Sequence, residues 1–167
     1  MKYSGWVKFH QKNGSILLDI QHLTLEYAVF DYNGTIATDG VVDEGVAKRL
    51  IELSKTLKIY IATLDTFGTV KEHMKGLPVE VKVMPKETGG LGKQIFVNEL
   101  GADRTVCIGN GCNDVHMFEV AKLSLIVLGK EGMSVNSFNK ADVVFKDSID
   151  VLDFLLNEKR MTATLRR

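Results

Sequence analysis

The feature that most constrains the fold is a repeated alternation of short apolar runs with amphipathic segments, from about residue 24 to residue 157. The apolar runs predict buried strands, and the segments between them predict helices. Repeated βα units of this kind predict an α/β, Rossmann-like fold: a doubly wound, mainly parallel sheet with helices on both faces. The predicted strands are 22–30, 57–63, 79–84, 105–109, 123–128 and 143–145. The first predicted helix begins after Asp43, and the other predicted helices span 69–75, 92–100, 114–122 and 149–156.

The two ends of the chain differ from this alternation. Residues 1–23 predict an N-terminal β-hairpin, because two weakly alternating runs flank the turn signal at 12–15. We expect Trp6 and Phe9 of this hairpin to pack against their own domain. Residues 158–167 are basic, with Lys159, Arg160 and two final arginines, and predict a solvated tail. The 167 residues are therefore expected to form a single domain with the core at 24–157.

The composition argues against several classes of partner. Lysine plus arginine equals aspartate plus glutamate at 21 each, so the charge balance favours neither nucleic acid nor a membrane surface. No segment approaches the roughly 18 apolar residues of a membrane helix. Cys107 and Cys112 lack metal-ligand spacing and the four histidines are scattered, which argues against a zinc site and favours a reducing, cytoplasmic location.

The segment Asp31-Tyr-Asn33-Gly34-Thr35 follows an apolar strand directly. A carboxylate at such a strand end is positioned to attack phosphorus or to hold a cation, and the glycine turn offers N–H groups to a phosphate. The same pattern is also typical of an acid in an Asx turn.

Three further segments follow in the same order along the chain. Thr63 closes an apolar strand, and Lys93 begins a predicted helix, with Lys86 as a competing lysine. The segment 109–114, Gly-Asn-Gly-Cys-Asn-Asp, places Asn110 and Asp114 around a glycine turn after a strand. Each feature alone has a simpler interpretation: a strand-end threonine, a surface lysine, or an Asn-Gly turn with a helix cap.

In this order, the segments resemble the four motifs of the haloacid dehalogenase superfamily of phosphatases and phosphotransferases. Those motifs are a strand followed by Asp-x-Asp-Gly-Thr, a strand-end Thr or Ser, a Lys, and Gly-Asp-Gly-x-Asn-Asp. The chain is most similar to the small soluble proteins related to the phosphorylation domain of P-type ATPases. Thr63-Leu64-Asp65 is similar to their Thr-Gly-Asp, and Lys93 precedes a helix as their lysine does, which favours Lys93 over Lys86.

The resemblance implies roles for individual residues. It makes Asp31 the nucleophile, with Asn33, Thr63 and Lys93 as the other catalytic positions. The implied phosphate-binding residues are Gly34, Thr35, Thr63, Leu64 and Lys93. The implied Mg²⁺ ligands are Asp31, the backbone carbonyl of Asn33, Asn110 and Asp114. Asp65 and Asn113 are implied as substrate contacts.

Two departures from the motifs modify the expected function. Asn33 stands where many members carry the acid that protonates the leaving group, and Asn110 replaces an acid that binds the metal. We therefore expect a slow Mg²⁺-dependent phosphohydrolase that favours good leaving groups. The alternatives are a non-enzymatic regulator that binds phosphate or a nucleotide, and a capless sugar-phosphate phosphatase. The intervals between the motifs leave no room for a cap domain, so the open site suits a bulky substrate or closure by a second subunit.

Overall fold

A computed structural model describes residues 8–12, 15–20, 23–65 and 69–165, with side chains from residue 23 onward. The strands are β1 (Lys8–Lys12), β2 (Ser15–Ile20), β3 (Leu23–Leu25), β4 (Tyr27–Phe30), β5 (Ala37–Thr38), β6 (Val41–Val42), β7 (Lys58–Thr63), β8 (Glu80–Val83), β9 (Thr105–Gly109), β10 (Leu123–Val127) and β11 (Val143–Phe145). The helices are α1 (Glu44–Leu53), α2 (Thr69–His73), α3 (Gly90–Leu100), α4 (Val115–Val120), α5 (Val135–Phe138), α6 (Ser148–Leu155) and α7 (Glu158–Leu165).

A six-stranded parallel sheet forms the centre of the protein, in the spatial order β11-β10-β9-β4-β7-β8. The strands β9 and β10 are buried along their whole length, which explains why their sequences are mostly apolar rather than alternating, with Thr105 and Ser124 as buried polar residues. The chain crosses from β4 outward to β7 and β8, and then returns to β9 on the other side of β4. The predicted α/β fold is confirmed.

Helices cover both faces of this sheet. On one face, α1, α6 and α7 pack over a core that includes Phe30, Leu50 and Met161. On the other face, α3 and α4 pack together over Val29, Val97 and Met117. Helix α1 begins where predicted, because the Asp43 carboxylate accepts a hydrogen bond from Gly45 N at 2.7 Å.

The N-terminal region is a three-stranded antiparallel sheet, β1-β2-β3, rather than a hairpin alone. The single strand predicted over 22–30 is divided at Glu26, where β3 ends in one sheet and β4 begins in the other. Glu26 N donates to the Arg104 carbonyl at 2.9 Å, and the Glu26 carbonyl accepts from Lys58 N at 3.0 Å. The apolar pattern continues across this change of partner, so it gave no sign of the break. Trp6 lies outside the described residues, and so do the side chain of Phe9 and residues 166–167.

The predicted solvated tail is wrong over residues 158–165, which form α7. Met161 is fully buried in the core on the α1 face, so this helix contributes apolar packing that its basic composition conceals. A small hairpin, β5-β6, was also not predicted; it follows the Asp31 segment and turns at Asp39 and Gly40, both with positive φ.

Within residues 23–65 and 69–165, every strand belongs to the six-stranded sheet, to the N-terminal sheet through β3, or to the short β5-β6 hairpin, and no separate cap domain is present. None of the helices in the described part of the chain has the length and apolar character needed to cross a membrane.

Candidate active site

The carboxyl ends of three adjacent strands bring the predicted motifs to one edge of the sheet. Strand β4 lies between β7 and β9, with Phe30 opposite Ile61 on one side and Ile108 on the other. Asp31 follows Phe30 directly, and its N–H donates to the Ile108 carbonyl at 2.8 Å. Ligands of doubly wound sheets bind at this edge.

Lys93 joins two of the motifs through its ammonium group. Its Nζ atom is 2.5 Å from Asp31 Oδ1 and 2.7 Å from Asp114 Oδ1, and its side chain is fully buried. Lys93 lies in the first turn of α3, which begins beside the 109–114 turn: a β-carbon on Gly90 would lie 2.7 Å from the Asn113 carbonyl oxygen. Glycine at this position therefore lets α3 approach closely enough for the lysine to reach both carboxylates.

Two carboxylates share this one ammonium, so the buried group carries one uncompensated negative charge. Burial, and after it the charge of Asp114, raises the pKa of Asp31 from 3.8 to about 6, against the opposing effect of Lys93. For Lys93, burial acts to lower the pKa, but the charges of Asp31 and Asp114 outweigh it and raise the pKa. The ammonium therefore stays protonated.

The 109–114 turn is organised around Asp114. Its Oδ2 atom accepts hydrogen bonds from Asn110 N at 3.0 Å and Gly111 N at 2.9 Å, which leaves Oδ1 for the lysine. A β-carbon on Gly109 would lie 2.3 Å from Asp114 Oδ2, so only glycine fits at the end of β9. Asp114 thus holds the turn and the lysine together.

The turn after Asp31 packs against the side chain of Asn110. Gly34 has a φ of +73°, and a β-carbon there would lie 2.2 Å from Asn110 Nδ2. The Thr35 hydroxyl is fully buried and donates to Asn110 Oδ1 at 3.2 Å, while Asn110 Nδ2 donates to the Gly132 carbonyl at 3.0 Å. The Thr35 hydroxyl is therefore used to orient Asn110, and the contact of Thr35 with phosphate stays a prediction.

A cavity of about 520 Å³ opens at this edge of the sheet. The sequence-predicted residues that line it are Asp31, Asn33, Thr63, Leu64, Asp65, Asn110 and Asn113. Gly34, Thr35, Lys93 and Asp114 are not among the described residues of its lining, since they lie beneath Asp31 and Asn110. Lys86 lines the cavity instead, so the two lysine candidates occupy different positions: Lys93 contacts the nucleophile candidate, and Lys86 is exposed at the cavity wall.

Helix α2 forms one wall of the cavity, and its residues Thr69, Val70 and His73 were not identified by the sequence analysis. Asp65 begins this wall: its Oδ2 atom accepts from Thr69 Oγ1 at 2.7 Å and from Val70 N at 3.1 Å. His73 lines the cavity at the other end of α2 and contacts the hydroxyl of Tyr32 at 2.8 Å. Nothing in the local sequence identifies His73, because only the tertiary structure brings it next to the Asp31 segment.

The oxygen atoms around Asp31 suit a hard divalent cation. Within residues 23–65 and 69–165, no group of three or more His, Cys, Asp and Glu side chains is arranged to hold a metal. Mg²⁺ does not require one, because it commonly takes one or two carboxylates and completes its shell with water and substrate phosphate. Asp31 and Asn110 both line the cavity, and the uncompensated negative charge of the Asp31–Asp114–Lys93 group favours a bound cation. The donor set therefore fits Mg²⁺.

Comparison with models of known protein families gives no match. Among curated proteins, the chain is 43% identical over 63 residues to the uncharacterised protein MJ0073 of Methanocaldococcus jannaschii, a match that covers 38% of this chain and 68% of that protein. It is also 53% identical over 38 residues to the uncharacterised protein MJ0072 of the same organism, covering 23% of this chain and 86% of that protein.

Solved structures show the same fold at low sequence identity. The cobalt-bound deoxy-D-mannose-octulosonate 8-phosphate phosphatase of Haemophilus influenzae superposes with a TM-score of 0.68 at 13% identity, covering 86% of this chain and 94% of that one. The Moraxella catarrhalis 3-deoxy-D-manno-octulosonate 8-phosphate phosphatase, in complex with magnesium, phosphate and its sugar acid, gives 0.67 at 14% identity, covering 83% and 90%. A Streptomyces avermitilis protein provisionally described as a HAD family hydrolase gives 0.64 at 20% identity, covering 78% and 84%. The fold implied by the resemblance is confirmed; the finer similarity to P-type ATPases stays a prediction.

Proposed function

Since the chain belongs to one family with MJ0073 and MJ0072 and has the haloacid dehalogenase fold, we propose that it is a Mg²⁺-dependent phosphohydrolase acting through an aspartyl-phosphate on Asp31. One observation carries this proposal: a fully buried lysine bridges Asp31 and Asp114 at the base of an open cavity. A buried ion-paired group with one uncompensated negative charge adds little to stability, because the cost of desolvating the charges offsets much of the attraction between the lysine and the carboxylates. It suits a site that must hold a nucleophile, a phosphate and a cation together.

In this proposal, each residue has a separate task. The Asp31 carboxylate attacks phosphorus, and Lys93 orients that carboxylate and offsets the charge of the transferred group. The Thr63 hydroxyl and the Leu64 backbone N–H contact the phosphate oxygens from the end of β7. Asp65 and Asn113 remain candidates for substrate contact, and the exposed Lys86 joins them because it lines the same cavity.

Asp31, the Asn33 carbonyl and Asn110 would hold Mg²⁺. Asp114, also expected as a ligand, would support the site without binding the metal directly, because its two oxygens already accept from Lys93 and from the 109–114 turn. When bound, Mg²⁺ would screen the negative charges of the carboxylate and the phosphate from each other. Asn110 offers a neutral amide oxygen, so its contribution to metal affinity is weaker than that of a carboxylate. The Thr35 hydroxyl supports this ligand by donating to its amide oxygen, which keeps the Asn110 side chain in a single orientation.

The chemistry at position 33 restricts the substrate. An asparagine amide neither gives nor takes a proton at neutral pH, and general acid–base catalysis contributes about 10²- to 10⁴-fold. The proposed enzyme is therefore slow, and it favours acyl phosphates, anhydrides and aryl phosphates over alkyl esters. A sugar phosphate is the second candidate substrate class, because two of the structural neighbours are phosphatases of sugar-acid phosphates. The open cavity leaves room for a bulky substrate or for a second subunit that closes the site.

A phosphate-release assay with Mg²⁺ tests the proposal. The substrates are acetyl phosphate, 4-nitrophenyl phosphate, nucleotides and sugar phosphates, and the variants are Asp31→Asn and Asp103→Asn. Asp103 is an exposed aspartate at the opposite end of β9, so it controls for the loss of a surface charge. We expect release by the wild type and Asp103→Asn but not by Asp31→Asn. If the protein binds phosphate or a nucleotide but releases no phosphate and forms no acid-stable phosphoenzyme, the phosphohydrolase proposal is contradicted and the non-enzymatic regulator is favoured.

A further inference from the structure

The Tyr32 side chain connects the Asp31 segment to helix α2. Tyr32 lies between Asp31 and Asn33 in the chain and is 2% exposed. Its hydroxyl oxygen is 2.8 Å from the Gly40 carbonyl oxygen and 2.8 Å from His73 Nδ1. The Tyr32 and His73 rings are stacked, with centroids 6.3 Å apart and planes at 29°. These contacts hold the imidazole beside the segment that carries the nucleophile.

The two hydroxyl contacts determine which nitrogen of His73 carries hydrogen. A carbonyl oxygen only accepts, so the single hydroxyl hydrogen of Tyr32 is donated to Gly40. The hydroxyl oxygen then accepts from His73, and Nδ1 must be the donor. Nε2 is therefore the nitrogen that gains or loses a proton, and it forms no hydrogen bond with any residue in the described ranges.

Among the described residues that line the cavity, His73 carries a side chain suited to proton transfer. It is exposed and lines the same cavity as Asp31 and Asn33. Asp65 also lines the cavity, but one of its oxygens already accepts from two donors of α2, so this side chain serves to hold the start of the helix. The Tyr32 hydroxyl is committed to Gly40.

We propose that His73 exchanges the leaving-group proton through Nε2, and so supplies the acid–base function that Asn33 lacks. This inference rests on the phosphohydrolase activity proposed above and adds a catalytic residue to it.

The proton balance is complete with His73 alone. An Asp31 oxygen forms a bond to phosphorus as the bond from phosphorus to the leaving oxygen breaks, and the protonated Nε2 gives its proton to that oxygen. The products are an alcohol, the aspartyl-phosphate and a neutral imidazole. Water then attacks phosphorus, the bond from phosphorus to Asp31 breaks, and Nε2 takes the water proton. Nδ1 keeps its hydrogen bond to Tyr32 throughout, so the ring need not turn.

The substitution His73→Asn separates proton transfer from positioning. The asparagine Nδ2 stands near the position of Nδ1 and can still donate to Tyr32, but nothing replaces Nε2. A leaving group that is already a weak base needs no proton, whereas an alkoxide does. We therefore compare kcat/KM for 4-nitrophenyl phosphate and for glycerol phosphate. In the variant, kcat/KM is expected to fall at least about tenfold further on glycerol phosphate than on 4-nitrophenyl phosphate.

Two further variants keep the experiment decisive. Lys71→Asn alters an exposed residue of α2 outside the cavity lining and is expected to leave the ratio of the two rates unchanged. Adding Asn33→Asp to His73→Asn is expected to recover the glycerol phosphate rate, because an acid returns to position 33. An equal loss on both substrates, or no loss, overturns the role of His73 while the phosphohydrolase stands. A wild type that is inactive on both substrates and forms no phosphoenzyme overturns both proposals.

Discussion

Replacing Lys93 with methionine tests how much the positive charge shared by Asp31 and Asp114 contributes to the free energy of unfolding. Methionine keeps much of the length and the apolar stem but removes the ammonium that lies 2.5 Å from Asp31 and 2.7 Å from Asp114. The lysine side chain and Asp114 are fully buried, and the Asp31 side chain is 10% exposed, so water cannot replace the lost partner effectively. Removing one member of a buried ion pair costs about 3–5 kcal/mol, and we expect Lys93→Met to lower the free energy of unfolding by that amount.

Urea denaturation at pH 7 in EDTA measures this change. The matched control is Lys86→Met, since Lys86 is exposed at the wall of the same cavity and its replacement is expected to cost about 0.5 kcal/mol or less. Adding Asp31→Asn to Lys93→Met is expected to recover part of the loss, because one of the two unpaired charges disappears. Saturating Mg²⁺ is also expected to recover stability, by about 2.7 kcal/mol at 100 times its Kd.

A cost below about 1 kcal/mol for Lys93→Met, or a cost equal to that of Lys86→Met, would refute this reasoning. It would mean that Lys93 is not the cation shared by the two carboxylates. The assignment of Lys93 rather than Lys86 to the third motif would then fail with it.

Three other predictions concern the same segment. Between pH 4 and 6 Asp31 binds more protons in the folded metal-free protein than in the unfolded chain, because its pKa is raised from 3.8 to about 6; the contribution of Asp31 to stability therefore falls with rising pH by about 3 kcal/mol in total. Denaturation in EDTA at several pH values measures this fall, which Asp31→Asn should abolish. Gly34→Ala is expected to lower activity more than tenfold, because the added β-carbon would overlap the side chain of Asn110. Gly76 is the control, since it has a similar positive φ, +85°, and no atom within 4 Å of an added β-carbon. Gly76→Ala should therefore cost only about 1 kcal/mol of stability and leave activity unchanged. In the His73→Asn background, where no acid remains, Asn33→Asp should raise kcat on alkyl phosphates by up to about 10²-fold and change aryl phosphate turnover far less, and equal gains on both would contradict the loss of an acid.

The sequence contained enough information for the sheet and for the edge that carries the site. Short, mostly apolar runs such as 105–109 indicate buried parallel strands, and the carboxyl ends of such strands must meet at one edge of the sheet. Asp31, Thr63 and the 109–114 turn can therefore be grouped from the order of the residues alone. Local patterns did not predict the break at Glu26, where one predicted strand is divided between two sheets. They also did not predict α7, because its buried Met161 lies among charged residues.

The sequence favoured Lys93 over Lys86 only through the family resemblance, and the tertiary structure supplies the physical reason. Both Lys86 and Lys93 follow β8 in the chain, and the chemistry of their side chains is the same. Lys93 reaches the carboxylates because Gly90 lets α3 approach the 109–114 turn, which is a packing effect across elements.

The order of the residues alone predicted the candidate reactive groups: a strand-end Asp31, an amide at position 33 that cannot transfer a proton, and an amide at position 110. These are properties of residue types next to strand ends, so short-range patterns reveal them. The contacts that these groups make with the rest of the protein come from the tertiary structure. It directs the Thr35 hydroxyl to Asn110, and it brings His73 next to Tyr32 across 41 positions of the chain. Such contacts depend on how helices pack around the sheet, and that packing sums many weak interactions that no local pattern contains.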